Sequence, residues 1–256
     1  MSSGSLLKEE RQARILDLLA TSGRVVATEL QDAFGVSGYT IRRDLDELAR
    51  DGAVQRVHGG ALGRSRVAHS YADRQTQEVA GKRAVARGAA SLLHGGEVAI
   101  LDGGSTALAL VDEIPVGHTG TFVTHSPPVA AALARHPGIE VVVVGGSLDA
   151  RAMTCVGAQV LDAYRRIAAD ICFLGVWSVH AEQGLSERYF EEAEVRRLLL
   201  DRADRVVGLA SRDKLATVAP FTIGPAQALT HLAVEPALPA DLVAPFVELG
   251  IELVTA

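Results

Sequence analysis

Neither a G-x-G-x-x-G dinucleotide fingerprint nor a G-x-x-x-x-G-K-[ST] phosphate loop occurs in these 256 residues, so the two commonest sequence signs of nucleotide binding are missing. Cysteine is nearly absent. Cys155 and Cys172 are too few for a disulfide framework and too isolated for a thiolate metal site. Reduced core thiols in a cytoplasmic protein are expected, with no metal and no cofactor. No apolar run approaches the roughly 20 residues a membrane helix needs. The opening MSSGSLLKEERQARIL turns acidic and basic too early for a secretory signal. The net charge of −6 supplies no global positive field to draw the chain to DNA or an anionic membrane. Aromatics make up only 4% of residues, while 48% are apolar and Gly, Ala and Val are plentiful. That balance fits a packed α/β protein and excludes wholesale disorder.

The acidity is uneven. Residues 1–66 hold ten Lys and Arg against nine Asp and Glu, and the remainder holds fifteen against twenty-two. The near-neutral first part reads as three helices and a ribbon. KEERQARILDLLATSG places Ile15, Leu18 and Leu19 on one face and stops at Gly23. ATELQDAFG opens with Thr28 as N-cap and Gln31 three positions on, a capping box, and ends at Gly35. Ser37 caps a third helix that runs to Gly52. AVQRVHGGAL then alternates apolar and polar residues into Gly59-Gly60, as a β-hairpin wing does. This is the order of a winged helix-turn-helix domain, expected over 1–62.

The third helix, SGYTIRRDLDELARDG, can be read by angle at about 100° per residue. With Ile41 at zero, Leu45 falls near 40° and Leu48 near 340°, a buried stripe. Tyr39, Arg42, Arg43 and Asp46 fall at about 100° to 200°, on the opposite side. Tyr39, Arg42 and Arg43 occupy the first two turns, the end that enters the major groove in this motif. Arginine binds guanine in a bidentate way or holds a phosphate, and Tyr39 and Thr40 can reach phosphate or a thymine methyl. The candidate DNA contacts are Ser37, Tyr39, Thr40, Arg42, Arg43, and Arg56 and His58 of the wing. The acids are expected to flank this face, with Asp46 four residues after Arg42 and Glu47 four after Arg43. The competing reading is a solvated helix held by intrahelical ion pairs.

VSGYTIRRDLDELARDGAVQRVHGGAL, preceded by RQARILDLLATSGRVVATELQDAFG, resembles the N-terminal domain of DeoR-family bacterial transcription regulators over about Lys8 to Leu62.

Residues 63–80 are polar and are expected to form an irregular linker. From 81 to 256 short apolar runs alternate with helical stretches, as in a Rossmann-like α/β sheet whose ligands bind beyond the C-terminal strand ends. IEVVVVGGS is apolar enough to predict a strand covered on both faces. Three strand ends are equipped for an anion. Asp102-Gly103-Gly104-Ser105-Thr106 leads into a helix whose amides and hydroxyls can cradle a phosphate. His125-Ser126 and Gly145-Gly146 end the next two strands, and Arg151 and Lys214 add cations. The combination favours a phosphorylated small molecule over bare architecture.

LDGGSTALAL, VTHSPPVAAAL, VVVVGGSLDARAMTCVG, ADICFLGVWSVHAEQGL and ASRDKL extend the DeoR resemblance over the body. The family's sensor domain is similar to ribose-5-phosphate isomerase and binds a sugar phosphate that alters DNA affinity. That resemblance places Asp102, Gly104, Ser105, Thr106, His125, Ser126, Arg151, Glu192 and Lys214 around the ligand. The chain departs from the family pattern at His125, where Asn is usual, at Trp177-Ser178, where Asp-Gly is usual, and at Ser211, where Asp is usual. A ring at Trp177 changes that part of a pocket from hydrogen bonding to stacking.

The expected protein is a cytoplasmic regulator, a repressor of carbohydrate metabolism by family likeness. It binds double-stranded operator DNA as a dimer or tetramer and responds to a phosphorylated sugar or similar effector. Two alternatives stand beside it. One is an isomerase-like enzyme with a DNA-binding head, using Glu187, Glu191 or Glu192 as its base. The other is a constitutive DNA-binding protein whose body only oligomerises.

Overall fold

The computed structural model describes residues 6–64 and 70–256, apart from the side chains of 20–22. The head contains α1 (Lys8–Ser22), β1 (Arg24–Val26), α2 (Ala27–Phe34) and α3 (Gly38–Arg50). A hairpin of β2 (Val54–Val57) and β3 (Gly60–Arg64) completes it. Gly23 and Gly35 end the first two helices with φ of +71° and +62°, donating their N–H groups to the Leu19 and Gln31 carbonyls. Ser37 caps α3, its Oγ accepting from the Thr40 N–H at 3.2 Å.

Thr28 does not cap α2. The helix starts at Ala27 and the Gln31 side-chain amide donates to the Ala27 carbonyl at 3.1 Å, so no capping box forms. The reason is β1, a strand the sequence reading did not contain. Val26 pairs with Gly60 and the Ala27 N–H donates to the Gly59 carbonyl at 2.7 Å, so a wing carbonyl satisfies the first amide of the helix. Ile41, Leu45 and Leu48 are buried with Ile15, Leu19, Val25 and Leu30, as the angular reading of α3 requires. Asp44, expected to flank the exposed face, is buried as well. Its oxygens accept from Arg11 Nε and, at 3.1 Å, from Arg11 Nη2, tying α1 to α3.

Polar residues 63–80 are not irregular throughout. β3 reaches Arg64, and α4 (Tyr71–Thr76) and α5 (Val79–Ala90) begin inside the stretch; 65–69 lie outside the described residues. Ser70 starts α4, accepting from the Asp73 N–H at 3.1 Å and donating to Asp73 Oδ2 at 2.6 Å.

The body continues with β4 (Glu97–Leu101), α6 (Ser105–Asp112), β5 (Gly120–Thr124), α7 (Pro127–Leu133) and β6 (Ile139–Val143). A hairpin of β7 (Ser147–Asp149) and β8 (Thr154–Val156) leads to α8 (Ala158–Tyr164) and β9 (Ala169–Gly175). Next come β10 (Ser178–His180), β11 (Gly184–Glu187), α9 (Phe190–Leu199) and β12 (Ala203–Leu209). The chain closes with β13 (Thr217–Val218), β14 (Phe221–Gly224), β15 (His231–Ala233), α10 (Ala240–Glu248) and β16 (Glu252–Val254).

Seven strands pair in parallel in the order β16-β15-β12-β9-β4-β5-β6. Val85, Leu110, Phe122 and Phe173 pack on one face, and Tyr164, Leu174, Leu232 and Phe246 on the other. Both cysteines are free and buried. β6 corrects the expectation of a strand covered on both sides. It is the sheet edge, with Val142 and Val143 exposed, because an apolar run reports strand propensity without saying where in the sheet the strand lies. Strand order reverses between β4 and β9, which opens a crevice at their C-terminal ends.

The Arg11–Asp44 pair yields a stability test. Asp44→Ala should destabilise the protein by about 3 kcal/mol, because it leaves a buried guanidinium unpaired. The double substitution Arg11→Met with Asp44→Leu should recover most of that loss in urea denaturation. Equal losses in the single and double variants would show that the pair is not what ties the helices.

Candidate functional site

At the head, Tyr39 is 69% exposed, and Arg42 and Arg43 project from the same end of α3. Arg42 Nε donates to the Gly38 carbonyl at 3.2 Å, and Arg43 Nε lies 3.5 Å from Glu47 Oε1. Asp46 pairs with the wing and not with Arg42: Arg56 Nε donates to Asp46 Oδ1 at 2.9 Å while Arg56 Nη1 donates to the Gly60 carbonyl at 2.5 Å. That pairing sets the wing against α3. His58 is exposed at the hairpin turn, where Gly59 has φ of +81°. Ser37 and Thr40 are engaged with each other as the cap, their hydroxyl oxygens 3.0 Å apart.

In the body, a polar pocket occupies the crevice between β4 and β9. Gly103, Gly104, Ser105, Thr106, Trp177, Glu192 and Lys214 line it, seven of the residues the sequence reading singled out. Close backbone approach makes the glycines necessary. A Cβ on Gly103 would meet Thr154 Cγ2 at 2.1 Å, and one on Gly175 would meet the Gly103 carbonyl oxygen at 2.9 Å. Gly104 has φ of +103° and starts α6, which sets Thr106 in the first helical turn with its Oγ1 buried and without a hydrogen-bond partner.

Asp102 lies beneath the pocket and not in its lining. Its Oδ1 accepts from the Gly103 N–H at 2.6 Å, and its Oδ2 from the Gly175 N–H at 2.9 Å and from Arg196 Nε at 2.8 Å. Arg196 Nη1 also reaches Glu187 at 2.6 Å and Glu192 at 2.9 Å, and Thr154 Oγ1 donates to Glu192 Oε1. Burial weakens the Arg196 charge, but the three carboxylates outweigh it and raise its pKa. Burial likewise pushes the Glu187 carboxyl up, against the pull of Arg196. Glu187 and Glu192 are therefore fastened to one guanidinium, and neither is free to serve as the base that the isomerase alternative needs.

His125 is buried under this floor. Its Nδ1 is 2.8 Å from Tyr164 Oη and its Nε2 is 3.3 Å from Asp102 Oδ1. Burial lowers its pKa, with Asp102 opposing, so the ring is neutral and joins two buried partners. Ser126 is buried beside it, its Oγ donating to the Met153 carbonyl at 3.1 Å. Arg151 stands at the rim, paired with Asp149 and stacked 4.2 Å from the ring centre of Tyr189, which lines the pocket. Gly145 and Gly146 are not brought to the pocket. They are exposed beyond edge strand β6, and Gly146 is needed for packing, since a Cβ there would meet Val160 Cγ2 at 2.6 Å.

Trp177 is almost fully buried, edge to face with Tyr189 at 5.8 Å and with the Arg74 guanidinium 5.4 Å from its ring centre. Lining residues not read from the sequence include Arg74 and Lys82 from α4 and α5, Tyr189, and Arg196. Arg74 and Lys82 sat in or beside an expected linker. Only an amphipathic reading of 70–90 could have drawn them in. Lys82 Nζ donates to the Arg74 and Gln77 carbonyls. Among the described residues no hydrogen bond or ion pair holds the Lys214 ammonium. Burial lowers its pKa to about 8, with Lys82, Arg196 and Arg74 adding repulsion and Asp213 opposing.

A three-helix head with an exposed cationic helix end, attached to a parallel-sheet body with a pocket at its switch point, defines a helix-turn-helix regulator with a ligand-sensing domain. Residues 11–66 match the DeoR-like helix-turn-helix domain, and residues 77–235 match the DeoR C terminal sensor domain. The chain belongs to the DeoR family of transcriptional regulators. It is 31% identical over 244 residues to the transcriptional regulator GolR of Listeria innocua, covering 94% of this chain and 96% of that one. It is 34% identical over 212 residues to the regulator GlpR of Haloferax volcanii, covering 82% and 83%. With the glycerol-3-phosphate regulon repressor of Escherichia coli the identity is 28% over 216 residues, covering 84% and 86%. All three are named as regulators and none as an enzyme. Among solved structures, ribose 5-phosphate isomerase A from Methanocaldococcus jannaschii is a distant likeness, with TM-score 0.36 and 19% identity over 50% of each chain. No described helix is long and apolar enough to cross a membrane.

The Lys214 ammonium carries a pH test. With its pKa lowered to about 8, the charge is fully present below that pH and is lost as pH rises through it. Sulfate, which does not titrate here, should bind with an affinity that falls above pH 8 by up to about tenfold per pH unit, one proton per anion. Calorimetry from pH 7 to 9.5 checks this, and a flat profile would contradict a role for the ammonium.

Proposed function

We propose that this chain represses a carbohydrate-metabolism operon from the cytoplasm and is released from its operator by a phosphorylated sugar or related metabolite. The observation that carries the effector reading is the pairing of an unpartnered Thr106 hydroxyl with an unpaired, buried Lys214 ammonium in one pocket. Buried polar groups without partners are costly unless a ligand supplies the missing bond. Arg196 is held by three carboxylates, and Lys82 and Arg74 share the pocket with Asp213, Glu187 and Glu192, so the cation presented to a ligand without a hydrogen bond or ion pair among the described residues is Lys214. That ammonium, beside the Thr106 hydroxyl, suits a phosphate oxygen. Gly103, Gly104 and Ser105 supply amides beside it. Trp177 and Tyr189 present aromatic faces to the remainder of the ligand.

On the DNA side, Tyr39, Arg42 and Arg43 form the reading face, with Arg56 and His58 of the wing over the backbone. The head, residues 1–62, and the body, residues 81–256, divide these tasks, and the body assembles the chain into a dimer or tetramer. A pair of heads is needed because one small reading helix offers limited specificity.

Two sets of substitutions test the division of labour. Arg42→Ala and Arg43→Ala should each weaken binding to the operator by about 10- to 100-fold, the worth of a bidentate base contact, with unchanged circular dichroism. Thr106→Ala and Lys214→Ala should bind operator normally and no longer be released by the effector. Wild-type operator affinity in both arginine variants would remove them from the reading face. Normal release in Thr106→Ala and Lys214→Ala would move the effector elsewhere.

A further inference from the structure

Two of the chain segments that link the head to the body bring cations to the same pocket. The first is the connection through α4 and α5, which carries Arg74 and Lys82. The second is the return segment 212–218. There a single turn, Arg212–Lys214, sets Lys214 in the pocket, and three residues later β13 pairs in parallel with wing strand β3. Thr217 lies opposite Gly63 and Val218 opposite Arg64. β1 pairs with Gly60 to Leu62 of β3, so β13 extends the pairing onto the last two residues of that strand.

The joint is closely fitted. Thr217 Oγ1 donates to the Lys214 carbonyl at 2.8 Å. Between them, Ala216 has φ of +53°, a left-handed conformation that is strained for an alanine. It persists because Ala216 rests on the end of α1. A Cβ on Gly23 would meet Ala216 Cβ at 2.4 Å and the Ala216 carbonyl oxygen at 2.6 Å. The Gly23 carbonyl in turn accepts from the Gly63 N–H at 2.9 Å. The end of α1, the wing and the pocket turn therefore meet at one point. Beside it, Arg24 Nη1 contacts Glu182 at 2.9 Å across the head–body boundary.

We propose that segment 212–218 is the transmission element of the regulator: an anion held by Lys214, Lys82 and Arg74 fixes the 212–214 turn and thereby strengthens the pairing of β13 with wing strand β3. This rests on the effector reading of the pocket and adds the route from that pocket to the head. Without a ligand Lys82 and Arg74 repel the buried Lys214 ammonium, Asp213 attracts it, and burial weakens its charge. An anion offsets that repulsion only when Lys214 and the α4–α5 cations stand together, so it binds the docked head more tightly than the undocked one. By reciprocity, a docked head binds the anion more tightly by the same factor. If the effector releases DNA, the docked head is the weak DNA binder, and β13 is the strand that holds it.

The test uses the full chain with inorganic phosphate as the probe. Thermal shift reports binding, with Lys214→Met as the control, and amide hydrogen exchange reports docking. Saturating phosphate should slow exchange over 61–64 and 215–218 by roughly fivefold or more, the lower end of ordinary allosteric coupling. Val218→Pro, placed outside the pocket, should bind phosphate more weakly by the same factor and bind DNA equally with and without it. A Lys214-dependent thermal shift with unchanged exchange over 61–64 would overturn the transmission route and leave the pocket intact. Absence of any Lys214-dependent shift would overturn the pocket reading, and the route with it. The exchange measurement needs only the wild-type chain, so the route is testable even if Val218→Pro does not fold.

Discussion

The body is organised around one buried guanidinium. Arg196 on α9 reaches Asp102 at the end of β4, Glu187 at the end of β11 and Glu192 one turn earlier on its own helix. Charges removed from water this completely are tolerated only when geometry and hydrogen bonding are nearly complete. Here the Asp102 oxygens also accept the Gly103 and Gly175 amides, so the same cluster fixes both glycine turns that open the crevice. Two consequences follow. The Arg196 guanidinium is fully engaged below the pocket, and among the described residues no hydrogen bond or ion pair holds the Lys214 ammonium above it. A sensor for an anion needs such a cation, since a pocket whose cations were all paired within the protein would hold a ligand weakly.

The head uses the same device on a smaller scale. Arg11 and Asp44 neutralise each other between α1 and α3, which lets an acid sit in the buried stripe beside Leu45 without disturbing the opposite face. The exposed acids have tasks too. Glu47 steadies Arg43, and Asp46 anchors Arg56 of the wing. The dense acidic run after the two arginines is therefore a set of separate tethers. It does not form a repulsive surface in front of Arg42 and Arg43.

Much of this was legible in the sequence because it depends on local rules. The angular stripe of Ile41, Leu45 and Leu48 determined which way Arg42 and Arg43 point. The Ser37 cap and the Gly23 and Gly35 stops are encoded within one turn of their helices. The loop from Gly103 to Thr106 announced itself as a strand-to-helix glycine turn. What escaped depends on partners distant in sequence. His125 looked like a ligand contact but spans Asp102 and Tyr164 beneath the floor. Gly146 shares the composition of a binding turn, yet only its packing against Val160 explains it. Arg74 and Lys82 hid in a polar run because their role depends on a pocket built elsewhere. The two-residue strand β13 has no sequence signature of its own; its register is set by the surface of the head it meets. β1 is similar, three residues long and defined by the wing strand opposite.

The central claim is that occupancy of the switch-point pocket controls the affinity of α3 for DNA. The most direct measurement is a DNA-binding titration on the chain's own upstream region, repeated across a panel of sugar phosphates and the corresponding unphosphorylated sugars. The account predicts that at least one phosphorylated compound lowers DNA affinity by fivefold or more, roughly the smallest ordinary coupling, while its unphosphorylated parent does not. DNA affinity that no phosphorylated compound changes, at concentrations that raise the melting temperature, would contradict it.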